Sequence, residues 1–290
     1  MTASSILSCR GLCVSVLSDQ GRIGILKGID LSLQTGHILG IAGESGCGKT
    51  TLIRTILGIL PRHARIDRGG LLFKDRPVPV SPRGGILRGS LGRCIGFIPQ
   101  DPYLALNPVF KIGTQMMEIL RWNGLPGEAA GTGRLADRKL CREHLIRTLA
   151  AVELPDPGEV LERYPHQFSG GQRQRILIAS ALIARPEVIL ADEPTTALDV
   201  TTQKQILTLL RSLVSEFGIS MMFVTHDFGV ISELCDDVAV MHAGCVVETG
   251  PTRRVIDAPE HPYTRHLIDS HPDRGGILLA EDDGAMRPPA

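Results

Sequence analysis

The sequence predicts an α/β fold, because short apolar runs alternate along the chain with segments of helical periodicity. Three runs are predicted as buried strands, at positions 37–43, 187–192 and 219–227. A glycine-rich turn and an amphipathic helix follow the first run, and Pro61 is expected to end that helix. Between the second and third runs, apolar residues recur at helical spacing up to Gly218, which suits a helix C-cap.

The start and the end of the chain have other patterns. Residues 5–35 contain short alternating stretches and are predicted as antiparallel strands. Residues 237–250 are predicted as a hairpin that turns at Ala243 and Gly244. The last segment, 271–290, is rich in Gly, Pro and Asp, so we expect a flexible C-terminal tail.

The middle of the chain is predicted to be helical. The pattern holds from about position 113 to 164, with a loose Gly- and Pro-rich stretch at 123–133. We therefore expect a helical subdomain of about 101–170, inserted into one folded domain that covers 1–270.

Composition excludes several classes of function. The 290 residues carry 31 basic and 31 acidic side chains, which argues against a protein that relies on general attraction to nucleic-acid phosphates. The seven cysteines are odd in number and form no C-x-x-C pair, which argues against disulfides or zinc and favours a reducing cytosol. No secretory signal is expected, and no apolar run reaches the roughly 18 residues of a membrane helix.

The stretch "GESGCGKT" at 43–50 is the first candidate site. A buried strand, then G-x-x-x-x-G-K-T, then an amphipathic helix is the arrangement that cradles phosphates. Glycines let backbone N–H groups turn toward phosphate oxygens, and the helix start adds the positive end of its dipole. Lys49 would reach the β- and γ-phosphates, and Thr50 would offer a hydroxyl to Mg²⁺. The alternative is a glycine-rich turn without a ligand.

Two acidic residues form the second candidate. Asp192 and Glu193 follow an apolar run, so they are expected at the carboxyl end of a strand, where α/β sheets bind ligands. Asp192 can hold Mg²⁺ directly or through water, and Glu193 can polarise the water that attacks the γ-phosphate. The alternative is a solvated acidic turn.

A third candidate is the helix start in "FSGGQRQRILIASALIAR" at 168–185. Ser169 and two glycines precede a strong helix that Pro186 stops, and a free helix start is an anion site. Taken alone, the stretch favours the alternative of an ordinary helix with Ser169 as N-cap.

In their order, these motifs resemble the ATP-binding subunit of an ABC transporter, a P-loop NTPase with a RecA-like core. "GESGCGKT" is similar to Walker A, "SGGQ" to the signature and "VILADE" to Walker B. "ALD" at 197–199 is similar to the D-loop, "THD" with His226 to the switch histidine, and Gln100 in "FIPQDP" to the Q-loop. More narrowly, "DPYLALNPVFKIG", "ERYPHQFSGGQRQR" and "PEHPYTRHLIDSHP" resemble the oligopeptide/dipeptide/nickel importer branch.

The resemblance implies that ATP and Mg²⁺ bind between two such subunits, with the cradle from one and the signature helix from the other. Glu193 would position the attacking water, His226 would hold γ-phosphate and water in register, and Gln100 would sense Mg²⁺ and signal to the membrane partner. The implied metal ligands are Thr50, Gln100 and Asp192. The implied nucleotide contacts are Gly43, Glu44, Ser45, Gly46, Cys47, Gly48, Lys49, Thr50 and Thr51 in the cradle, and Ser169, Gly170, Gly171 and Gln172 in the signature.

Four features depart from the family pattern. Many members stack an aromatic ring on adenine, whereas no aromatic residue precedes Phe73 and the corresponding position near Val16 implies an aliphatic contact. His37 stands where a glutamate is usual and is expected to be a solvated residue at a strand start. Cys47 lies inside the cradle, so we expect that its alkylation inhibits and that ATP protects; the alternative is that Cys47 is merely small. No cysteine follows Cys245, so a metal cluster in the C-terminal region is not expected.

The function implied by the resemblance is that of an ATP-hydrolysing, energy-coupling subunit of an importer for peptides, nickel or other small solutes. The implied partners are two membrane permease subunits, a second ATP-binding subunit (a copy or a sister chain) and a solute-binding protein, without nucleic acid. The implied location is the cytoplasmic face of the inner membrane, as a peripheral subunit. Cargo and the choice between copy and sister stay open.

Two alternatives belong to other classes. One is a soluble ABC ATPase that acts on DNA or ribosomes; DNA-repair members carry long coiled coils, and ribosome-acting members carry two such domains. This sequence has no heptad pattern and one such domain, which favours the importer. The other is an exporter, which commonly fuses membrane helices to the ATPase.

Overall fold

Two β-sheets and the helices around them make up the described part of the chain. The structure is a computed structural model, and it describes residues 4–19, 21–78, 93–127, 137–196 and 198–270. The strands in these residues are β1 (Ser5–Ser18), β2 (Gly21–Gln34), β3 (Ile38–Ala42), β4 (Ala64–Phe73), β5 (Arg76–Val78), β6 (Ile95–Ile98), β7 (Val188–Asp192), β8 (Ser220–Val224), β9 (Asp237–His242) and β10 (Cys245–Pro251).

Helices lie between several of these strands and after the last one. They are α1 (Lys49–Leu57), α2 (Pro102–Ala105), α3 (Ile112–Asn123), α4 (Arg138–Ala151), α5 (Pro157–Val160), α6 (Gly170–Leu182), α7 (Val200–Phe217), α8 (Phe228–Leu234), α9 (Thr252–Asp257) and α10 (Pro262–Ser270). The predicted α/β class is therefore confirmed. None of the helices in the described ranges is long and apolar enough to cross a bilayer.

The first sheet is antiparallel, in the order β2-β1-β4-β5. It confirms the antiparallel strands predicted in residues 5–35. The sequence prediction missed β4 and β5, because charged residues and the pair Gly69-Gly70 interrupt the apolar alternation there. Val16 lies on β1, paired with Ile23 on one side and Ala64 on the other.

The second sheet has the order β10-β9-β3-β8-β7-β6. Strands β9, β3, β8, β7 and β6 are parallel, and β10 runs antiparallel to β9. The three predicted buried strands are β3, β7 and β8, and the predicted hairpin is β9 with β10. All four predictions are confirmed.

The central sheet divides two hydrophobic cores, because successive side chains of a strand point to opposite faces. Strand β7 shows this division: Val188 and Leu190 join the core formed with α1 and the antiparallel sheet. Ile189 and Ala191 join the core formed with α6, α7 and α8. Both faces of the strand are covered, so its sequence is apolar up to Asp192, as the prediction of a buried strand assumed.

Helix α1 is shorter than predicted. It ends at Leu57 rather than at Pro61, because Gly58 adopts a left-handed conformation and its N–H returns to the carbonyls of Arg54 and Thr55. Helices α2 to α5 lie between β6 and α6, inside the predicted subdomain, whose limits of 101–170 stay a prediction. Residues 128–133 of the loose stretch and the predicted tail 271–290 lie outside the described residues.

Candidate functional site

The candidate residues follow four adjacent strands. In the order β3-β8-β7-β6, the carboxyl ends of these strands lead respectively into the cradle 43–50, His226, the pair Asp192-Glu193 and Gln100. Parallel strands bring their carboxyl ends to one edge of a sheet, which is where α/β folds bind ligands. The sheet order therefore gathers groups that are up to 183 residues apart in sequence (226 − 43).

The cradle has close neighbours on one side and open space on the other. A Cβ added at Gly43 would lie 2.3 Å from the Met241 carbonyl oxygen, and one at Gly48 would lie 2.9 Å from a Leu26 methyl carbon. A Cβ at Gly46, with φ of +84°, would meet nothing within 4 Å. The loop thus packs Gly43 and Gly48 against the protein and leaves Gly46, in its middle, open. This form lets a phosphate group approach bare backbone.

Lys49 begins α1 and is only 5% exposed. Its ammonium Nζ donates to the carbonyl oxygens of Gly43 at 2.6 Å and Glu44 at 3.0 Å. Gly48 caps the helix without a side-chain hydrogen bond, so within the described ranges no side chain satisfies the first-turn N–H groups. A buried cation beside uncapped amides at a helix start fits an anionic ligand.

Thr50 and Asp192 are direct partners. The Thr50 hydroxyl donates to Oδ1 of Asp192 at 3.2 Å. Burial raises the pKa of Asp192 above its usual range, and the Thr50 bond opposes this shift. Within the described residues, no group of three His, Cys, Asp or Glu side chains could hold a metal alone. The pair fits Mg²⁺, which takes one or two protein ligands and completes its shell with phosphate and water oxygens.

Glu193 contacts Gln100, Thr196 and His226, and 15% of its side chain is exposed. Its Oε2 accepts from Gln100 Nε2 at 3.2 Å and from the Thr196 hydroxyl at 3.2 Å, and it lies 3.6 Å from His226 Nδ1. The sequence reasoning did not name Thr196. Gln100 contacts Glu193 in this structure, and its metal ligation stays a prediction.

The backbone at Glu193 is also unusual. Its φ is +46°, in the left-handed region that non-glycine residues rarely adopt, and its N–H donates to the Val224 carbonyl at 3.0 Å. Such conformations persist where surrounding structure imposes them, and they concentrate at functional sites. The bond to β8 fixes the carboxylate relative to the strand that leads to His226.

The signature residues lie at the start of α6. The Ser169 hydroxyl accepts from the Gln172 N–H at 3.3 Å, and Gln172 Oε1 accepts from the Ser169 N–H at 3.1 Å. This reciprocal pair is a capping box. Ser169 is exposed, and among the described residues no hydrogen bond joins residues 169–172 to the cradle.

The D-loop residues lie beside the signature. A Cβ on Gly170 would come within 3.8 Å of a Leu198 methyl carbon, and one on Gly171 would come within 2.6 Å of Cγ2 of Thr202. Asp199 caps α7 by accepting from the Thr202 N–H at 2.9 Å. Ala197 lies outside the described residues.

Four of the remaining cradle residues differ in exposure. Glu44 and Ser45 are exposed and Thr51 is half-buried. Cys47 is 6% exposed, and burial raises the pKa of its thiol despite the nearby Lys49. The thiolate is the reactive form, so the structure favours the small-residue alternative over alkylation at Cys47.

His37 immediately precedes β3, at the opposite end of this strand from the cradle. Its Nδ1 lies 2.9 Å from Oδ2 of Asp237 on β9, and the side chain is partly exposed. The contact joins two neighbouring strands, which indicates a structural role.

Comparison with known proteins gives a consistent result. The ABC transporter family profile matches residues 26–196, and the profile of the oligopeptide/dipeptide transporter C-terminal region matches residues 247–281. The dipeptide transport ATP-binding protein DppD of Bacillus subtilis (strain 168) is 41% identical over 96% of this chain and 81% of its own length. The oligopeptide transport ATP-binding protein OppD of the same organism is 38% identical over 92% of this chain and 72% of its own length.

A longer relative and two solved structures indicate the same family. The glutathione import ATP-binding protein GsiA of Escherichia coli (strain K12) is 38% identical over 96% of this chain, which spans only 44% of GsiA. The structure of cbiO1 from Clostridium perfringens, part of the ABC transporter complex cbiONQ, has a TM-score of 0.71 at 28% identity, over 89% of this chain and 92% of that one. A dimeric, post-hydrolysis structure of the ATP-binding cassette MJ0796 with ADP and Pi has a TM-score of 0.70 at 26% identity, over 85% and 99% of the two chains.

Proposed function

Because this chain belongs to the ABC transporter family, we propose that it is the ATP-hydrolysing, energy-coupling subunit of an importer whose cargo is a peptide. Three relatives are named for the transport of dipeptides, oligopeptides and glutathione, which supports peptides over nickel or other small solutes. These names do not favour the alternative of an ATPase that acts on DNA or ribosomes.

The observation that carries this proposal is the pair of adjacent carboxylates at the end of β7. Asp192 faces the Thr50 hydroxyl at the cradle, and Glu193 faces Gln100 and His226. One strand end thus supplies a metal-side carboxylate and a water-side carboxylate. This arrangement suits attack of water on a terminal phosphate better than nucleotide binding alone.

Binding of the triphosphate would begin at α1. The first-turn amides and the Lys49 ammonium offer positive charge to phosphate oxygens. Lys49 would exchange its two carbonyl partners for oxygens of the β- and γ-phosphates, since a charge-assisted bond to phosphate is stronger than one to a neutral carbonyl. The Thr50 hydroxyl and the Asp192 carboxylate would hold Mg²⁺, which neutralises charge on the phosphates when bound.

Hydrolysis would then depend on Glu193. Its carboxylate would orient a water and accept a proton from it as the oxygen attacks phosphorus. Gln100 and Thr196 donate to one oxygen, Oε2, and so fix the side chain. His226 lies beside the same oxygen and would keep the water and the γ-phosphate aligned.

A second subunit would complete the site. Ser169 is the exposed N-cap of α6, and no described hydrogen bond joins it to the cradle of its own chain. We propose that this helix start contacts the γ-phosphate held by another ATP-binding subunit, either a copy or a sister chain. The cassette MJ0796 was solved as a dimer, which supports this arrangement.

Five large apolar side chains that follow Gln100 in sequence are exposed, and we propose that they face the membrane partner. We define the permease-facing patch as five exposed residues after Gln100, namely Tyr103, Leu104, Val109, Phe110 and Trp122. Leu104 is 86% exposed, and exposed clusters of large apolar side chains mark interaction sites. We propose that the importer has two permease subunits and that a helical segment of one of them docks on this patch of each ATPase subunit. Docking would take place at the cytoplasmic face of the inner membrane. A solute-binding protein would deliver the cargo to the permease subunits.

Docking at this patch can reach the signature directly. The guanidinium of Arg173 on α6 lies 4.2 Å from the centroid of the Tyr103 ring, a cation–π contact. The same Arg173 donates from Nε to the Pro165 carbonyl at 2.8 Å. A movement of Tyr103 would therefore be transmitted to the helix start that faces the second subunit.

Glu193→Gln is the test of this function. The variant keeps the size of the side chain but cannot accept the proton, so ATP binding should persist while steady-state hydrolysis falls at least about 100-fold. Glu233→Gln, an exposed change on α8, is the matched control and should hydrolyse ATP normally. Near-normal turnover by Glu193→Gln would remove Glu193 from the catalytic role.

The same variant identifies the partner. Glu193→Gln saturated with Mg-ATP should be isolated from membranes with permease subunits, because the ATP-bound pair is not opened by hydrolysis. Recovery with DNA or ribosomes in place of permeases would support the alternative function.

A further inference from the structure

A tyrosine near the C-terminus contacts the cradle. The hydroxyl oxygen of Tyr263 on α10 accepts a hydrogen bond from the Glu44 N–H at 3.2 Å, across 219 positions of sequence. This N–H belongs to the same peptide unit as the Gly43 carbonyl, which accepts from Lys49 Nζ at 2.6 Å. One peptide unit of the cradle is therefore held at one end by Lys49 and at the other by Tyr263.

The Tyr263 side chain is itself held in place. Its ring centroid lies 3.9 Å from that of His242, the last residue of β9. Both oxygens of the buried Glu248 carboxylate on β10 accept backbone N–H groups ahead of α10, from Glu260 at 2.8 Å and His261 at 3.0 Å. Burial raises the pKa of the Tyr263 phenol, so the hydroxyl stays protonated at neutral pH.

The Gly43–Glu44 peptide unit needs such support. Gly43 has φ of +150° and no side chain, so its own backbone torsions restrict the adjoining peptide unit less than those of another residue would. Other contacts fix the neighbouring backbone but not this unit: the Gly244 N–H donates to the Cys47 carbonyl at 3.1 Å. In the proposed function Lys49 leaves the Gly43 carbonyl for the phosphates, and Tyr263 is then the remaining described partner of this unit.

We infer that Tyr263 is a positioning residue for nucleotide binding, which holds the Gly43–Glu44 peptide unit in its binding orientation while Lys49 transfers to the triphosphate. This inference rests on the proposed function. It gives α10, which lies within the stretch matching the oligopeptide/dipeptide transporter C-terminal region, a direct contact with the nucleotide site. The hydroxyl does not touch the reacting atoms, so its effect should fall on affinity and not on the chemical step.

Tyr263→Phe removes only the hydroxyl and keeps the ring beside His242. We expect the Kd for Mg-ATP, titrated on the full chain in the Glu193→Gln background, to rise about 3- to 10-fold, the scale of one neutral hydrogen bond. With Glu193 intact, the KM for ATP should rise likewise and kcat should stay within about twofold. Tyr164→Phe removes a phenol oxygen elsewhere in the chain and is the matched control.

A double-mutant cycle isolates the hydrogen bond. Glu44→Pro removes the N–H donor, so adding Tyr263→Phe to it should change the Kd by less than about twofold. An equal loss of affinity from Tyr263→Phe in both backgrounds, or no loss in the single variant while the parent binds Mg-ATP, would overturn the inference. A parent chain that binds no Mg-ATP would instead contradict the proposed function. If Glu44→Pro does not fold, the single variant against Tyr164→Phe decides.

Discussion

The starts of α1 and α6 are both glycine-rich helix N-termini, yet their surroundings differ. At α1, Lys49 is buried, Thr50 bonds to Asp192 and Tyr263 holds the loop ahead of the helix. At the start of α6, Ser169 is exposed and forms a capping box with Gln172, and no described hydrogen bond joins residues 169–172 to the cradle. The same local pattern thus forms a nearly complete anion site in one place and half of a site in the other. The half-site is the one that needs a second subunit.

Among the changes that test this difference between the two helix starts, a negative charge introduced at the start of α6 is expected to have the largest effect on ATP turnover. Gly170→Asp should lower ATP turnover, because its carboxylate would repel the γ-phosphate held by the partner. The expected decrease is on the order of 100-fold, which is the scale of a lost electrostatic contact in a transition state. The affinity of the isolated chain for ATP should not change, since the cradle is elsewhere. Turnover and nucleotide titration check the two expectations.

The control at the same position is Gly170→Ala. A Cβ there has no neighbour closer than 3.8 Å, so alanine should fit and leave turnover nearly normal. If Gly170→Asp weakened ATP binding by the isolated chain, the signature would belong to the same nucleotide site as the cradle of its own chain.

The next largest effect is expected at α1. Lys49→Ala should weaken ATP binding by the isolated chain about tenfold or more, because it removes a charge-assisted bond to phosphate and the support of two loop carbonyls. Nucleotide titration measures the change, and the exposed Lys204→Ala serves as control. Unchanged affinity would show that the buried ammonium does not face the triphosphate.

The smallest effect concerns Cys47 inside the cradle. Burial raises the pKa of its thiol above the usual value of 9.0, so at pH 7.5 the thiolate fraction is small and grows only as the pH rises. Alkylation of Cys47 should be about tenfold slower than that of the partly exposed Cys245, followed by mass spectrometry of peptides. Equal rates would indicate that the cradle opens more readily than its packing suggests.

Much of this fold was predictable because its signals are local. The apolar runs of β3, β7 and β8 report burial on both faces, and the glycine-rich turn before Lys49 reports a strand followed by a helix. The antiparallel pair β4 and β5 was missed since its charged and glycine residues do not alternate with apolar ones. The end of α1 was predicted too late in the sequence. Gly58 and Pro61 can each end this helix, and the structure shows that Gly58, which comes first, ends it.

The sequence by itself determined the motifs, their order and the chemistry that each can perform, because turns, caps and periodicity depend on neighbours along the chain. Only the tertiary structure decided which groups meet. Strand order brings Gln100 and His226 to Glu193, and the packing of α10 brings Tyr263 to the Glu44 amide. It also decided that the Cys47 thiol is buried while the SGGQ helix start faces outward. Such contacts join residues that are far apart in sequence. A local sequence pattern therefore does not indicate which distant segment will pack against it.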